Sequence, residues 1–208
     1  MTEAFTSDCM HQVLTALAHC HKYEFLHANL DMDHVMVFKT PFGEDKIKLV
    51  NFDNARNSHS KTHPIFQSEA KRKEACVAPE IAECASDATP KPVLTQAADI
   101  WSLGVMCFVL RTNCLPLNRA GISETETHNA TVKKSQAKFD PEGIINSPQY
   151  SRIFDEDQRD FLIKCLQHDP AKRATAKELL KHKWITKNFN ERQKFLTEQN
   201  EVRQIFAK

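Results

Sequence analysis

Glycine is scarce in this chain, with four in 208 residues: Gly43, Gly104, Gly121 and Gly143. No two are close enough to build a Gly-rich phosphate loop, which excludes both the G-x-G-x-x-G fingerprint and the P-loop within these residues. A charge surplus is also missing, because 28 Lys and Arg meet 27 Asp and Glu for a net charge of +1. Nucleic-acid and anionic-membrane binding both rest on a positive surplus, so neither partner is expected. No apolar run is long enough to cross a bilayer; the longest, Ile100 to Leu110, contains Ser102 and reads as a buried core helix. The seven cysteines are odd in number, irregularly spaced and without a C-x-x-C, which suits reduced thiols rather than a disulfide or zinc framework. The first residues, MTEAFTSDCM, have no basic or apolar segment of a signal peptide. The expectation is a cytoplasmic protein. At 41% hydrophobic residues there is apolar material for one ordinary core, and the near-neutral charge argues against disorder.

Helical periodicity runs over 8–26, where Met10, Val13, Leu14, Leu17, Ala18 and Tyr23 fall on one face, with Asp8 as the expected N-cap. Two short apolar runs follow, Val35–Phe38 and Ile47–Val50. The Gly-containing loop between them predicts a small hairpin. Residues 53–75 carry no clear period and read as a surface loop with the basic run Lys71-Arg72-Lys73. The strongest helix candidate covers 96–111. A polar stretch from Asn113 to Ser151 leads to two further helices, opened by Asp155 and Thr175. The sum is mainly α with a small β element near 35–50.

Three strings carry a resemblance. Asp99-Ile100-Trp101-Ser102-Leu103-Gly104-Val105 matches D-x-W-S-x-G-V. Asp169-Pro170-Ala171-Lys172-Arg173-Ala174-Thr175 runs on to His182-Lys183-Trp184-Ile185. Val77-Ala78-Pro79-Glu80 matches the A-P-E that closes an activation segment. In this order they resemble the C-terminal lobe of a eukaryotic protein kinase over roughly 8–186. The segments FGEDKIKLV and LPLNRAGISETETHNATVKKSQAKFDPEGI lean toward the myosin-light-chain-kinase and titin-like, calmodulin-dependent branch. The resemblance implies a protein-kinase-like C-terminal lobe at 1–186, without an N-terminal lobe, and a charged helical tail at 187–208. It implies that Glu80 pairs with Arg173 as a bidentate carboxylate–guanidinium contact. Asp99 would accept backbone N–H groups of the catalytic loop, Trp101 would fill the core, and His27 and Phe52 would pack.

The same resemblance exposes departures where the chemistry should be. The H-R-D-L-x-x-x-N pattern reads His27-Ala28-Asn29-Leu30-Asp31-Met32-Asp33-His34. Asn29 stands where the family has its proton-accepting Asp, and a neutral amide is a far poorer acceptor. Ala28 replaces the Arg that meets a phosphorylated loop. Asp31 stands where a phosphate-contacting Lys is usual, and His34 where an Asn holds magnesium. D-F-G becomes Asn51-Phe52-Asp53, so a metal-binding carboxylate is replaced at Asn51 and a flexible Gly at Asp53. Asp31, Asp33 and Asp53 read more simply as a solvated acidic loop than as a new magnesium site.

From these departures the expectation is a catalytically inactive, kinase-like module, not an enzyme, that serves as a scaffold or anchor. ATP and magnesium, which the family uses, would bind weakly or not at all, leaving no cofactor and no metal. Partners would be proteins held by the lobe surface or the 187–208 tail, with calmodulin a lesser candidate because Glu191, Glu198 and Glu201 dilute the tail's basic face. A cytoskeletal or sarcomeric place follows from the resemblance. The alternative is a serine/threonine kinase fragment that transfers phosphate when an N-lobe comes from a longer isoform or in trans. A metal site among Cys9, His11, His19, Cys20 and His21 is not expected, since the spacing fits no ligand pattern. The sequon Asn129-Ala130-Thr131 would matter only in a secreted protein.

Overall fold

The computed structural model describes residues 1–40, 45–58, 76–83, 95–116 and 139–190, together with 194 and 197. Helix α1 (Glu3–Lys22) opens well before the periodicity suggests, because Thr2 rather than Asp8, six residues on, is its N-cap and accepts from Phe5 N. Asp8 instead lies inside the helix and takes a hydrogen bond from Gln12 Nε2, one turn on. Met10, Val13, Leu14 and Leu17 are buried as expected, whereas Tyr23 follows the helix and is exposed.

Strands β2 (Val35–Lys39) and β3 (Asp45–Leu49) form the anticipated antiparallel hairpin, with Val37 opposite Ile47. A second, two-residue pairing joins β1 (Phe25–Leu26) to β4 (Arg56–Asn57), which the sequence reading had placed in a loop. The basic run 71–73, Cys84 and Asn129 lie outside the described residues.

Helix α2 (Pro79–Glu83) leads toward α3 (Ala97–Thr112), around which nearly every position from Ala98 to Leu110 is buried. A helix apolar on all sides must lie at the centre of its fold, and α3 does. It ends at Asn113, whose left-handed backbone turns its N–H onto Val109 O at 2.7 Å. Short α4 (Pro141–Ile145) has Asp140 as N-cap with Pro141 next to it, inside what read as a polar connector. Helix α5 (Glu156–Cys165) is capped by Asp155, and α6 (Ala176–Leu180) carries a full capping box between Thr175 and Glu178. A last helical stretch covers 183–190 without a break at 186. Trp101, Phe108, Phe154, Phe161 and Trp184 are the large side chains of one core formed mainly by α1, α3, α5 and α6.

Gly104 sets how closely α3 and α5 approach. A Cβ there would stand 2.7 Å from Cys165 Cβ and 2.9 Å from Leu166 Cδ2. The first obstacle is fixed to a helix backbone and cannot rotate away. Gly104→Ala is therefore expected to lower stability by about 1–3 kcal/mol despite its higher helix propensity, read as the midpoint of urea unfolding. A stabilised variant would mean that the helices are not in contact there.

The six described cysteines are free. Burial pushes the Cys9 thiol up to about 11 and the Cys107 thiol to about 12, so these groups act as small apolar fillers. Cys20 is only half-buried. Among the described residues no helix is long and apolar enough to cross a membrane.

Candidate functional site

Asp99, in the first turn of α3, is buried yet receives three donors. Oδ1 accepts from Ala28 N at 2.8 Å, while Oδ2 accepts from His27 N and from His21 Nε2, both at 2.9 Å. One carboxylate thus fastens the loop 27–34 to the central helix and to the end of α1. Ala28 adopts a left-handed backbone, φ 60°, which these contacts hold in place. The His21 contact is not legible in the sequence, where His21 enters only among residues whose spacing fits no metal pattern.

Glu80 and Arg173 meet as a fork, Nη1 to Oε1 at 2.9 Å and Nη2 to Oε2 at 3.0 Å. The guanidinium is fully buried, lies over the Trp101 ring at 5.2 Å, and also donates to Ala97 O and Gln167 O. Ser102 Oγ donates to Cys76 O at 2.7 Å, a second tie between α3 and the segment before α2. Between loop and segment lies a small cavity of about 30 Å³, lined by Asn29, Asp31, Val77, Ala78 and Ser102 among others.

The loop itself is more ordered than a solvated acidic stretch. Asp31 is buried, and its Oδ1 caps the 3-10 turn Met32–His34 by accepting from Asp33 N and His34 N. Asp33 and Asp53 are exposed, as expected. His27 is fully buried and donates from Nε2 to Val50 O, with its other ring nitrogen unpartnered; burial holds its pKa below the usual histidine value. Phe52 stacks obliquely on the His27 ring at 4.7 Å but remains exposed on its other side, so its packing is half of what was anticipated.

His34 links the two motifs. Its Nδ1 lies 2.6 Å from Asn29 O and its Nε2 lies 2.7 Å from Asn51 Nδ2. Asn51 adopts a left-handed backbone, φ 62°. The contact between His34 and Asn51 offers magnesium no ligand between those two side chains. Both His34 nitrogens are occupied, Asn51 turns N–H groups toward the ring, and Asp31 Oδ1 is taken by backbone donors. Magnesium demands near-octahedral hard oxygens. Among the described residues no three His, Cys, Asp or Glu side chains gather as metal ligands.

The sequence strings, the fastened loop and the buried fork converge with what comparison finds. The protein kinase domain family model matches residues 1–185. The chain belongs to the protein kinase domain family. It is 30% identical over 174 residues to the muscle M-line assembly protein unc-89 of Caenorhabditis elegans, covering 84% of this chain and 2% of that protein. It is 25% identical over 197 residues to a probable myosin light chain kinase of Dictyostelium discoideum, covering 92% of this chain and 44% of the relative. These relatives fall in the myosin-light-chain-kinase and titin-like branch. A solved structure of the Rad53 kinase domain and SCD2 with AMPPNP superposes with TM-score 0.61 at 24% identity, over 89% of this chain and 60% of that one. That likeness establishes the kinase fold. The chain spans less than half the length of the curated relatives named here.

These findings correct one expectation. The kinase domain was read as not an enzyme, but the family is that of an enzyme and a relative matched along nine-tenths of the chain bears a kinase name. Asn29 and Asn51 sit on a retained kinase framework. The missing Gly-rich loop describes these 208 residues alone, because the relatives are more than twice as long.

Proposed function

We propose that residues 1–186 are the C-terminal lobe of a serine/threonine protein kinase of the myosin-light-chain-kinase and titin-like branch. In this reading the lobe supports ATP-dependent phosphoryl transfer to a protein hydroxyl, with the nucleotide roof supplied by an N-terminal lobe in a longer polypeptide or in trans. Residues 187–208 form an accessory tail, whose described Phe189 stacks on His11 at 4.2 Å. The observation that carries the reading is the kinase-domain match over residues 1–185, joined to the Asp99-fastened loop. The hairpin and its surroundings support it too. Met36, Val37 and Phe38 on the hairpin, and Phe25 and Phe52 elsewhere, present exposed apolar surface of the kind a covering lobe or protein partner would bury. The muscle M-line relative favours a sarcomeric or cytoskeletal setting for such a partner.

Asn29 takes the place of a carboxylate base in this reading and orients the hydroxyl through its amide oxygen. Such a base contributes about 10²–10⁴ in rate, so turnover should be slow and Asn29→Asp should raise it. The test is transfer of labelled phosphate from ATP to serine and threonine peptides by the natural polypeptide containing these residues. The expected result is slow labelling that increases in Asn29→Asp. No labelling by either form, with both folded, sinks the proposal.

A further inference from the structure

The corner where the family would place a metal is closed here by a side chain, and its hydrogen-bond pattern fixes the chemistry. Asn29 O is a carbonyl and can only accept, so the 2.6 Å contact requires a hydrogen on His34 Nδ1. In the neutral ring Nε2 is then the acceptor, and the partner 2.7 Å away is the Asn51 amide nitrogen, which donates. The two contacts agree on one tautomer, and Asp31 Oδ1, 3.1 Å from Nδ1, is a second acceptor that calls for the hydrogen on the same nitrogen. His34 in turn is seated by its own backbone N–H on Asp31 Oδ1, which the fold buries.

We infer that His34 is a positioning residue that does by hydrogen bonding what a divalent cation would otherwise do: it couples the 27–34 loop to the Asn51-Phe52-Asp53 segment and keeps the latter in place without metal. Asn51 needs such a restraint. A left-handed backbone is uncommon for a residue with a side chain, though asparagine tolerates it best. The ring also lies beside His27, at 6.1 Å between centroids, and His27 in turn contacts Phe52. His34 therefore holds Asn51 by a hydrogen bond, while Phe52 rests on the neighbouring ring. The lone pair turned into the gap, that of His34 Nε2, is already taken by the Asn51 N–H, so a cation entering there would have to displace that hydrogen bond.

The inference concerns the order of the corner and stands apart from the proposed phosphoryl transfer, which tests a different quantity. Nitrogen-15 spectra of the folded chain at neutral pH should show His34 as the Nδ1–H tautomer. Its signals and those of Asn51 should not change when millimolar magnesium replaces EDTA. His34→Ala should loosen the corner, seen as at least tenfold faster amide exchange at Val50 and Ala55, whose N–H groups bond His34 O and Phe52 O, with exchange in α3 unchanged. The double variant His34→Asn, Asn51→Asp restores oxygen donors at both positions and should make that protection depend on magnesium. A magnesium-induced shift at His34 in the natural chain, the opposite tautomer, or unchanged exchange in His34→Ala would each overturn the inference. None of these readouts requires ATP, so a failure of phosphoryl transfer would leave the result interpretable.

Discussion

Replacing Arg173 by Ala should lower stability by about 3–5 kcal/mol, the range for breaking a buried ion pair by removal of one partner. The guanidinium is fully buried, and Glu80, 17% exposed, would keep its charge with little water to answer it. The loss extends beyond Glu80. Ala97 O and Gln167 O would forfeit their donors, and Trp101 the planar cation over its ring. For a chain of this length the melting temperature should fall by roughly 6–20 °C. Arg173→Lys should recover only part of the difference, because one ammonium cannot meet both carboxylate oxygens and two separate carbonyls. Heat denaturation followed by circular dichroism reads the effect. An unchanged melting temperature in Arg173→Ala would show that the segment at Glu80 is not tied to the base of the fold.

The second large effect is expected at Asp99. Removing its carboxylate strands three donors at once: His27 N, Ala28 N and His21 Nε2. Each buried donor left unpaired costs about 1–3 kcal/mol, with the sum reduced because the loop can move toward water. Asp99→Ala should therefore destabilise by about 3 kcal/mol, and Asp99→Asn is no conservative rescue. An amide offers one acceptor where two oxygens now serve, and its own N–H groups would face the donors. The distinguishing readout is local: amide exchange at His27 and Ala28 should accelerate before the rest of the core opens. If those two amides kept their protection in Asp99→Ala, the carboxylate would not be what fastens the loop.

Arg173 was legible because Glu80 lies in a recognisable string, and Asp99 was legible for its contacts to the loop at His27 and Ala28 but not for that to His21. Periodicity likewise located α3, the hairpin signal located β2 and β3, and the capping residues Asp155 and Thr175 marked the starts of α5 and α6. What could not be read depends on side chains that meet only after folding. Asp31 looked solvated because acidic loops usually are, yet its carboxylate turns inward to cap two N–H groups. His34 looked like a poor substitute for a metal ligand. Its two ring nitrogens find their partners only because the hairpin carries Asn51 back beside the loop 17 residues earlier in sequence. Asp8 misled for a simpler reason: Thr2, six residues earlier, offered an equally good cap. Exposure of Met36, Val37 and Phe38 was likewise hidden, since an apolar run in a strand does not say which surface covers it.

Gln12 on α1 touches β3 in a way that bears on assembly. Its Nε2 donates to Asp45 O at 3.1 Å, and its Oε1 accepts from Ile47 N at 2.9 Å. A single primary amide thus occupies the same backbone positions that a residue of a neighbouring strand would occupy. A two-stranded ribbon would otherwise offer two open margins to strand addition. Here a helix side chain has sealed one of them, so any chain that extends this ribbon must do so along β2, beside Met36 and Phe38.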